Sequence, residues 1–375
     1  MSCNARLPEV RLGYRPELDG LRGIAILSVV SMHAFNWPRG GFLGVDLFFV
    51  LSGFLITTLL VEEWRSHGSI SLRAFYRRRA LRLIPALVVV VAAYVILSLA
   101  IQLYGSGPAS HHLGRHLAGA LAGIFYVSNI VQAAGAALPR GIRHLWSLGT
   151  EEQFYLLWPP ILLLTLGRVR GGTRRLQLFL GIALAAVVVW RLALTVSGAS
   201  QHRLYFAPDT SCDTLIIGCI LGLWFAMDSI PHLLRKSVGR HALHMVAVAT
   251  VVGLMFATRD WSDRSLFAGT ITLFALASAA LIAIAVLEPR SLLGRALRVQ
   301  PLVFTGRISY SLYLWHPIIL TQTRLAPLPA VVASFLVATL SHYVVERPFL
   351  RMKRKARRIV LSAPNEARLP LTAEV

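Results

Sequence analysis

Cysteine is scarce in this chain, and its scarcity excludes two classes of small stabilised domain. Only three cysteines, Cys3, Cys212 and Cys219, occur among 375 residues. They are too few and too scattered to form a disulfide framework or a zinc site. We therefore expect neither a disulfide-stabilised fold nor a metal centre.

Charged residues are also scarce, and this points to the membrane. They make up 15% of the chain, whereas a soluble domain has about a quarter. Hydrophobic residues make up 55%, and the mean hydropathy is +0.62. The sequence predicts an all-α integral membrane bundle of about ten transmembrane helices. The predicted spans are 21–37, 42–61, 83–103, 145–166, 176–196, 214–227, 244–257, 266–287, 308–323 and 329–345.

Acidic residues are fewer than basic ones, 17 against 38, which gives a net charge of +21. Such an excess can indicate nucleic-acid binding. Here most basic residues fall in alternate loops, the pattern of the positive-inside rule, so we expect no nucleic-acid partner and a lipid bilayer instead. Both termini are then cytoplasmic, with a membrane domain over 1–350 and a basic, polar tail over 351–375. The alternation holds if the glycine-containing segment 117–137 is a re-entrant or peripheral helix.

The chain lacks the glycine-rich phosphate-binding motifs and the G-x-S-x-G motif of serine hydrolases. Ionisable residues stand inside its apolar runs instead. Arg22 and His33 lie eleven positions apart in the first predicted span. A helix places them on one face, about 16 Å apart along its axis. Ionisable groups in membrane spans are costly, so they mark a candidate functional site.

Each candidate residue has a chemical and a structural interpretation. His33 can act as a general base near neutral pH, or it can hydrogen-bond a neighbouring span. Arg22 can bind an anion or extend to the interface. Asp46 can orient the His33 ring, as a carboxylate does in hydrolytic triads, or it can cap a helix. Glu151 can bind a sugar hydroxyl or pair with Arg191.

A cluster of arginines precedes the third predicted span. Arg78, Arg79 and Arg82 form an R-R-x-x-R pattern that can hold the phosphates of a nucleotide-bearing donor. Charge alone favours the simpler interpretation of a cytoplasmic anchor. His316 and Glu346, late in the chain, are either satisfied structural groups or parts of a site.

Several short sequence motifs occur in order along the chain: RPELDGLRG, FLGVDLFFVLSGFLI, FYRRRALRLIP, HLWSLGTEEQFYLLWP, GRISYSLYLWHP and VERPFLR. Together they resemble the membrane-bound acyltransferase family 3 over about residues 14–350. The resemblance implies an acyl-CoA donor held on the cytoplasmic side by Arg78, Arg79 and Arg82. It also implies that Arg22 and His33 are essential for transfer.

The chain departs from the family in two respects. Ser211 stands where members often have an arginine, which weakens an acceptor-binding role for that segment. Some members carry a further soluble domain after the last span. This chain ends without one, so we expect transfer to be completed in the membrane domain or by a partner protein.

Together with the candidate residues, this resemblance implies an enzyme of the bacterial inner membrane. It moves an acetyl or short acyl group from acyl-CoA to a hydroxyl of an envelope polysaccharide or glycolipid, with His33, Arg22, Asp46 and Glu151 as catalytic candidates and no metal. The alternatives are an acyltransferase for a glycosylated natural product such as a macrolide, a polytopic transporter and an inactive scaffold. Consumption of acyl-CoA separates the enzymes from the transporter.

Overall fold

Within residues 12–104, 113–168, 172–229 and 237–351, which the computed structural model describes, every regular element is a helix. The helices are α1 Pro16–Phe35, α2 Gly44–His67, α3 Leu72–Tyr104, α4 Leu113–Ile124, α5 Ser128–Ala133, α6 Trp146–Arg168, α7 Gly172–Val196, α8 Gln201–Phe206, α9 Pro208–Ser211, α10 Asp213–Ala226, α11 Ser237–Ala257, α12 Ile271–Leu287, α13 Leu292–Leu297, α14 Gln300–Arg307, α15 Ser309–Gln322 and α16 Pro327–Ser341. Tighter 3₁₀ turns cover Arg39–Leu43 and Arg143–Leu145, and wider π turns cover Leu266–Thr270 and His342–Glu346. The all-helical prediction is confirmed for these ranges, and the tail from 352 lies outside them.

The described residues include six helical segments that are long and apolar enough to cross a membrane. They are Pro16–Phe35, Arg39–His67, Leu72–Tyr104, Arg174–Val196, Leu266–Leu287 and Pro327–Arg351. Two shorter apolar helices, Asp213–Ala226 and Ala242–Ala257, accompany them. The chain is therefore a multi-pass membrane protein. The other two predicted spans correspond to α6 and α15, and the count of ten stays a prediction.

The segment expected to be re-entrant or peripheral is broken into two short helices. The helix α4 has 12 residues and α5 has six, with a break at 125–127 where Tyr126 takes a φ of 55°. A 12-residue helix is only about 18 Å long, too short to cross the hydrocarbon core of a bilayer. The break agrees with the expectation, and the position of the segment relative to the bilayer stays a prediction.

Helix α2 lies in the centre of the bundle and α7 at its edge. The most apolar stretch of Arg39–His67 is 78% buried, whereas that of Arg174–Val196 is 17% buried and exposes its apolar side chains outward, as a lipid-facing helix does. The helices α2 and α10 cross very closely. A Cβ on Gly53 would stand 2.1 Å from the Leu215 carbonyl oxygen. Glycine at this position lets the two backbones touch.

A fully buried ion pair joins α7 to α10. Both guanidinium nitrogens Nη1 and Nη2 of Arg191 lie 2.9 Å from the carboxylate oxygens of Asp213, and both side chains have no exposed surface. Arg191 also donates to the Thr210 carbonyl oxygen at 2.9 Å. Its partner is therefore Asp213 and not Glu151, which the sequence had offered. A buried charge requires such compensation.

Candidate active site

The end of α1 places His33 on the wall of a cavity. Asn36 takes a left-handed conformation with φ 54°, and its N–H donates to the Met32 carbonyl oxygen at 2.9 Å, which ends the helix. Asparagine tolerates this conformation better than most residues. His33 lies in the last turn before this cap and remains exposed to the cavity.

The ring of His33 is held by His316 of α15. His33 Nδ1 lies 2.9 Å from His316 Nε2, and His316 Nδ1 lies 2.8 Å from the Leu312 carbonyl oxygen. A carbonyl only accepts, so Nδ1 of His316 must carry the hydrogen. In a neutral His316, Nε2 then accepts the hydrogen on Nδ1 of His33. This leaves Nε2 of His33 as its basic nitrogen, so the pair selects the tautomer that can remove a proton.

A third histidine completes the cluster. His144 lies in the 3₁₀ turn before α6, with its ring centroid 5.9 Å from that of His316. It is 8% exposed, and within the described residues neither of its ring nitrogens has a hydrogen-bond partner. A buried polar group without a partner costs about 1–3 kcal/mol. Such a group is uncommon in a native protein and marks a candidate functional position.

The cavity beside the histidines has a volume of about 710 Å³. This is within the range of about 300–1,000 Å³ typical of small-molecule sites. Its wall combines histidines, arginines, aromatic rings and a few neutral polar groups. The chemically distinctive members are His33, His144, His202, Arg39, Arg140, Arg143, Arg259, Asp260, Asn36, Gln132, Trp146, Tyr205, Phe206, Trp261 and Tyr313. We call it the histidine cavity.

The other candidates gather in a second polar centre, the arginine–glutamate cluster of Arg22, Arg79, Arg82, Glu151 and Glu152. Arg79 Nε lies 2.7 and 3.0 Å from the two carboxylate oxygens of Glu152, and Arg79 Nη2 lies 3.6 Å from Glu151. The guanidinium also lies 3.3 Å above the ring of Tyr155. Arg79, predicted to hold donor phosphates, is thus already compensated by carboxylates.

The remaining arginines differ in how far they are engaged. Arg78 pairs with Glu63 at 3.1 Å. Arg22 Nε donates to Ser309 Oγ at 3.4 Å, and its charge acts on Arg82 and Glu151. Within the described residues Arg82 has no ion pair with a carboxylate. Arg82 is therefore the best placed of the three R-R-x-x-R arginines to bind an added anion.

Asp46 does not line the histidine cavity, although it lies within electrostatic range of Tyr205 on the cavity wall. It is 7% exposed, lies within electrostatic range of Asp213 and Arg191, and makes no hydrogen bond with His33 within the described residues. The residue that orients the His33 ring here is His316. Any catalytic role of Asp46 stays a prediction.

One face of α6 connects the two centres. Residues 147, 151 and 155 follow each other at spacings of four, so they share a side of the helix, and His144 precedes them in the adjoining 3₁₀ turn. Ser147 Oγ lies 2.5 Å from the hydroxyl of Tyr313, which donates to the His144 carbonyl oxygen at 2.7 Å. Further along, Glu151 accepts hydrogen bonds from Ser52 and, at 2.7 Å, from Tyr155. These polar contacts run along α6 from the histidine cavity to the arginine–glutamate cluster. We call them the polar seam.

Comparison with known proteins assigns this arrangement to a family. The profile described as "Acyltransferase domain" matches residues 15–347. The chain belongs to this acyltransferase family. The peptidoglycan O-acetyltransferase OatA of Listeria monocytogenes is 34% identical over 357 residues, which cover 89% of this chain and 56% of that protein. The O-acetyltransferase OatA of Staphylococcus aureus is 35% identical over 320 residues, covering 82% of this chain and 51% of that protein.

The chain spans about half the length of the curated relatives it matches. No solved structure matches it. The expected membership of the acyltransferase family is confirmed, and the membrane helices agree with it.

The sequence brought Arg22 and His33 together on one helix, and the structure assigns them to different polar centres. Arg22 lies in the arginine–glutamate cluster with Glu151, while His33 lies at the histidine cavity. His144 was not among the candidates from the sequence. It appeared there only as the first residue of the motif HLWSLGTEEQFYLLWP. Its signal was available, since a histidine beside an apolar run is costly unless it has a role.

Proposed function

We propose that this acyltransferase-family protein is a membrane O-acyltransferase, which moves an acetyl or other short acyl group onto a hydroxyl of a cell-envelope carbohydrate. The observation that carries the proposal is the hydrogen-bonded pair of His33 and His316 on the wall of the histidine cavity. Two relatives are named as O-acetyltransferases, one of them of peptidoglycan, which supports a polysaccharide acceptor.

The chemistry that we propose begins at Nε2 of His33. This nitrogen removes the proton from the acceptor hydroxyl as the oxygen forms a bond to the acyl carbonyl carbon. The bond between that carbon and the donor sulfur then breaks, and the proton on Nε2 passes to the departing thiolate. General-base assistance of this kind contributes about 10²–10⁴-fold to a rate. The cavity adds to it by orienting the two reactants.

We further propose acyl-CoA as the donor. A donor with phosphate groups needs cationic partners, and the arginine–glutamate cluster offers Arg82 beside Arg22. Arg78 and Arg79 assist only if a phosphate shares or displaces their carboxylate partners, Glu63 and Glu152. The acyl end then reaches His33 along the polar seam of α6. This route fits a cytoplasmic donor and cytoplasmic termini, which remain expectations of the charge distribution.

The acyl transfer is tested in membranes that contain the wild type, His33→Ala or a control, His67→Ala, at equal protein level. His67 lies exposed at the end of α2. Labelled acetyl-CoA is supplied, and base-labile acetyl esters are measured on the envelope carbohydrate. We expect His33→Ala to lose about 10²–10⁴-fold and His67→Ala to match the wild type. Equal ester formation by wild type and His33→Ala would refute the role of His33.

The donor is tested separately in the same membranes by measuring free CoA. One CoA should appear for each ester formed. If esters form from another acetyl source without release of CoA, the donor assignment fails while the acceptor chemistry remains.

A further inference from the structure

Four arginines lie on the wall of the histidine cavity. Arg39, Arg140, Arg143 and Arg259 all line it, and all four side chains are exposed. Within the described ranges none of them makes an ion pair with a carboxylate. The acid on the wall, Asp260, accepts a hydrogen bond from the Ser262 backbone N–H at 3.3 Å. The cavity therefore carries a net positive charge.

Other arginines at the same end of the bundle are engaged. Arg203 contacts the Asp209 carboxylate at 2.9 and 2.5 Å, and Arg264 donates to the Thr195 carbonyl oxygen at 3.0 Å. Burial raises the pKa of the Asp209 carboxyl, but hydrogen bonds from Arg203 and Trp190 outweigh it and hold the pKa below its usual value. The carboxylate therefore stays charged and neutralises Arg203, while the cavity arginines have no carboxylate partner among the residues that the structure describes.

Concentrated positive charge in a concave wall attracts anions, because the low-dielectric surroundings focus the field. Guanidinium groups bind carboxylates and phosphates through paired hydrogen bonds. The charge reaches the histidines as well, since Arg143 lies within electrostatic range of His33. An anionic ligand would therefore be held beside the basic nitrogen of His33.

Aromatic rings of the same wall suit the rest of such a ligand. Trp146, Tyr205, Phe206 and Trp261 form one cluster, with ring centroids of neighbours 4.9–5.7 Å apart. Aromatic faces pack against apolar surfaces, and sugar rings present such a surface on one side. A second cavity of about 250 Å³ shares Arg140 and Thr321 with the first.

We infer that the acceptor is an acidic carbohydrate, a sugar chain whose carboxylate or phosphate groups are bound by Arg39, Arg140, Arg143 and Arg259 while one of its hydroxyls lies at His33. This inference rests on the proposed O-acyltransferase function and narrows its substrate class. The acidic groups of the sugar chain bind the arginines, and its sugar rings pack against the aromatic side chains. A neutral carbohydrate of the same shape lacks the interactions that hold it in place.

The test uses the full chain in nanodiscs of zwitterionic lipid, without any acyl donor. The probes are a tri-galacturonate and its fully methyl-esterified form, whose binding is measured by calorimetry at low and at physiological salt. We expect the acidic probe to bind at least about tenfold more tightly, with an advantage that shrinks as salt rises. Equal affinities for the two probes would overturn the inference.

Variants locate the site. Arg140→Gln and Arg259→Gln should each weaken the acidic probe by about tenfold and leave the esterified probe unchanged. Arg324→Gln is the matched control, because Arg324 is exposed between α15 and α16 and does not line the cavity. An equal loss in all three variants would refute the assignment, since it would show general attraction to a basic surface.

Two further measurements separate the alternatives. Nanodiscs with anionic lipid test whether phospholipid headgroups occupy the arginines: loss of the acidic advantage there would overturn the carbohydrate assignment in favour of lipid. Acetyl transfer is then measured with both probes as acceptors. Transfer to the esterified probe at the same rate refutes the acidic-acceptor inference but leaves the O-acyltransferase proposal intact. Tight acidic binding with no transfer to any acceptor contradicts the proposed function instead.

Discussion

Replacing His316 by phenylalanine tests the proposed origin of the basicity of His33. Phenylalanine keeps a planar ring at this buried position but cannot accept the hydrogen from His33 Nδ1, which now lies 2.9 Å from His316 Nε2. The ring of His33 is then free to rotate, and its proton is free to move to the other nitrogen. The fraction of molecules with a correctly placed lone pair should fall.

The expected loss of activity in His316→Phe lies between the loss of one hydrogen bond and the loss of all general-base assistance. A neutral hydrogen bond contributes about 0.5–1.5 kcal/mol net, which corresponds to about 2- to 13-fold in a rate. Complete loss of general-base assistance costs about 10²–10⁴-fold. We therefore expect His316→Phe to lower acetyl transfer by about 10- to 100-fold, less than the loss in His33→Ala.

The assay is the formation of base-labile acetyl esters in membranes with equal protein level. His316→Gln is the control, because a glutamine oxygen can accept the same hydrogen bond, and it should retain most of the activity. The double variant His33→Ala/His316→Phe should be no slower than His33→Ala alone, since residues that act as a unit are not additive. Wild-type activity in His316→Phe, or an equal loss in the Phe and Gln variants, would refute the reasoning.

Three other substitutions test the packing and the cluster. Gly53→Ala should lower stability by about 1–3 kcal/mol, because its Cβ would meet the Leu215 carbonyl oxygen, whereas Gly253→Ala enters open space; thermal unfolding in detergent compares the two. Asp213→Asn should cost about 3–5 kcal/mol by leaving the Arg191 charge uncompensated, far more than Asp209→Asn in its exposed pair, and unfolding temperatures that fall equally would contradict this. His144→Phe should not lower the unfolding temperature, because no hydrogen bond is lost within the described residues, yet it should slow acetyl transfer at least about tenfold; unchanged activity would exclude a role for the imidazole in the chemistry.

Local pattern was sufficient to predict the helical membrane fold and part of the site. The low content of charged residues predicts membrane helices, and helical periodicity places Arg22 and His33 on one side of α1. The same reasoning predicted a re-entrant or peripheral helix over 117–137, and the structure breaks this segment into α4 and α5. These features depend on neighbours within a few turns, which the sequence displays directly.

Partnerships across the bundle could not be predicted in this way. The sequence offered Asp46, thirteen positions away, to orient His33, whereas the partner in the structure is His316, 283 positions away. The R-R-x-x-R arginines suggested free cations, yet Glu152, 73 positions from Arg79, compensates one of them. Periodicity fixes which face of a helix a side chain occupies. It does not fix which helix that face meets.

The separation of the two polar centres explains why Arg22 and His33 stand on one helix but in different surroundings. Arg22 lies among carboxylates that keep a cluster of guanidinium groups ordered around it, whereas His33 faces a cavity whose arginines have no carboxylate partner in the described part of the chain. A charged donor and a charged acceptor at one centre would repel each other. In the proposed reaction the anionic donor and the anionic acceptor are held at two different centres, and the uncharged acyl end of the donor, still bound to its sulfur, reaches His33 along the polar seam of α6.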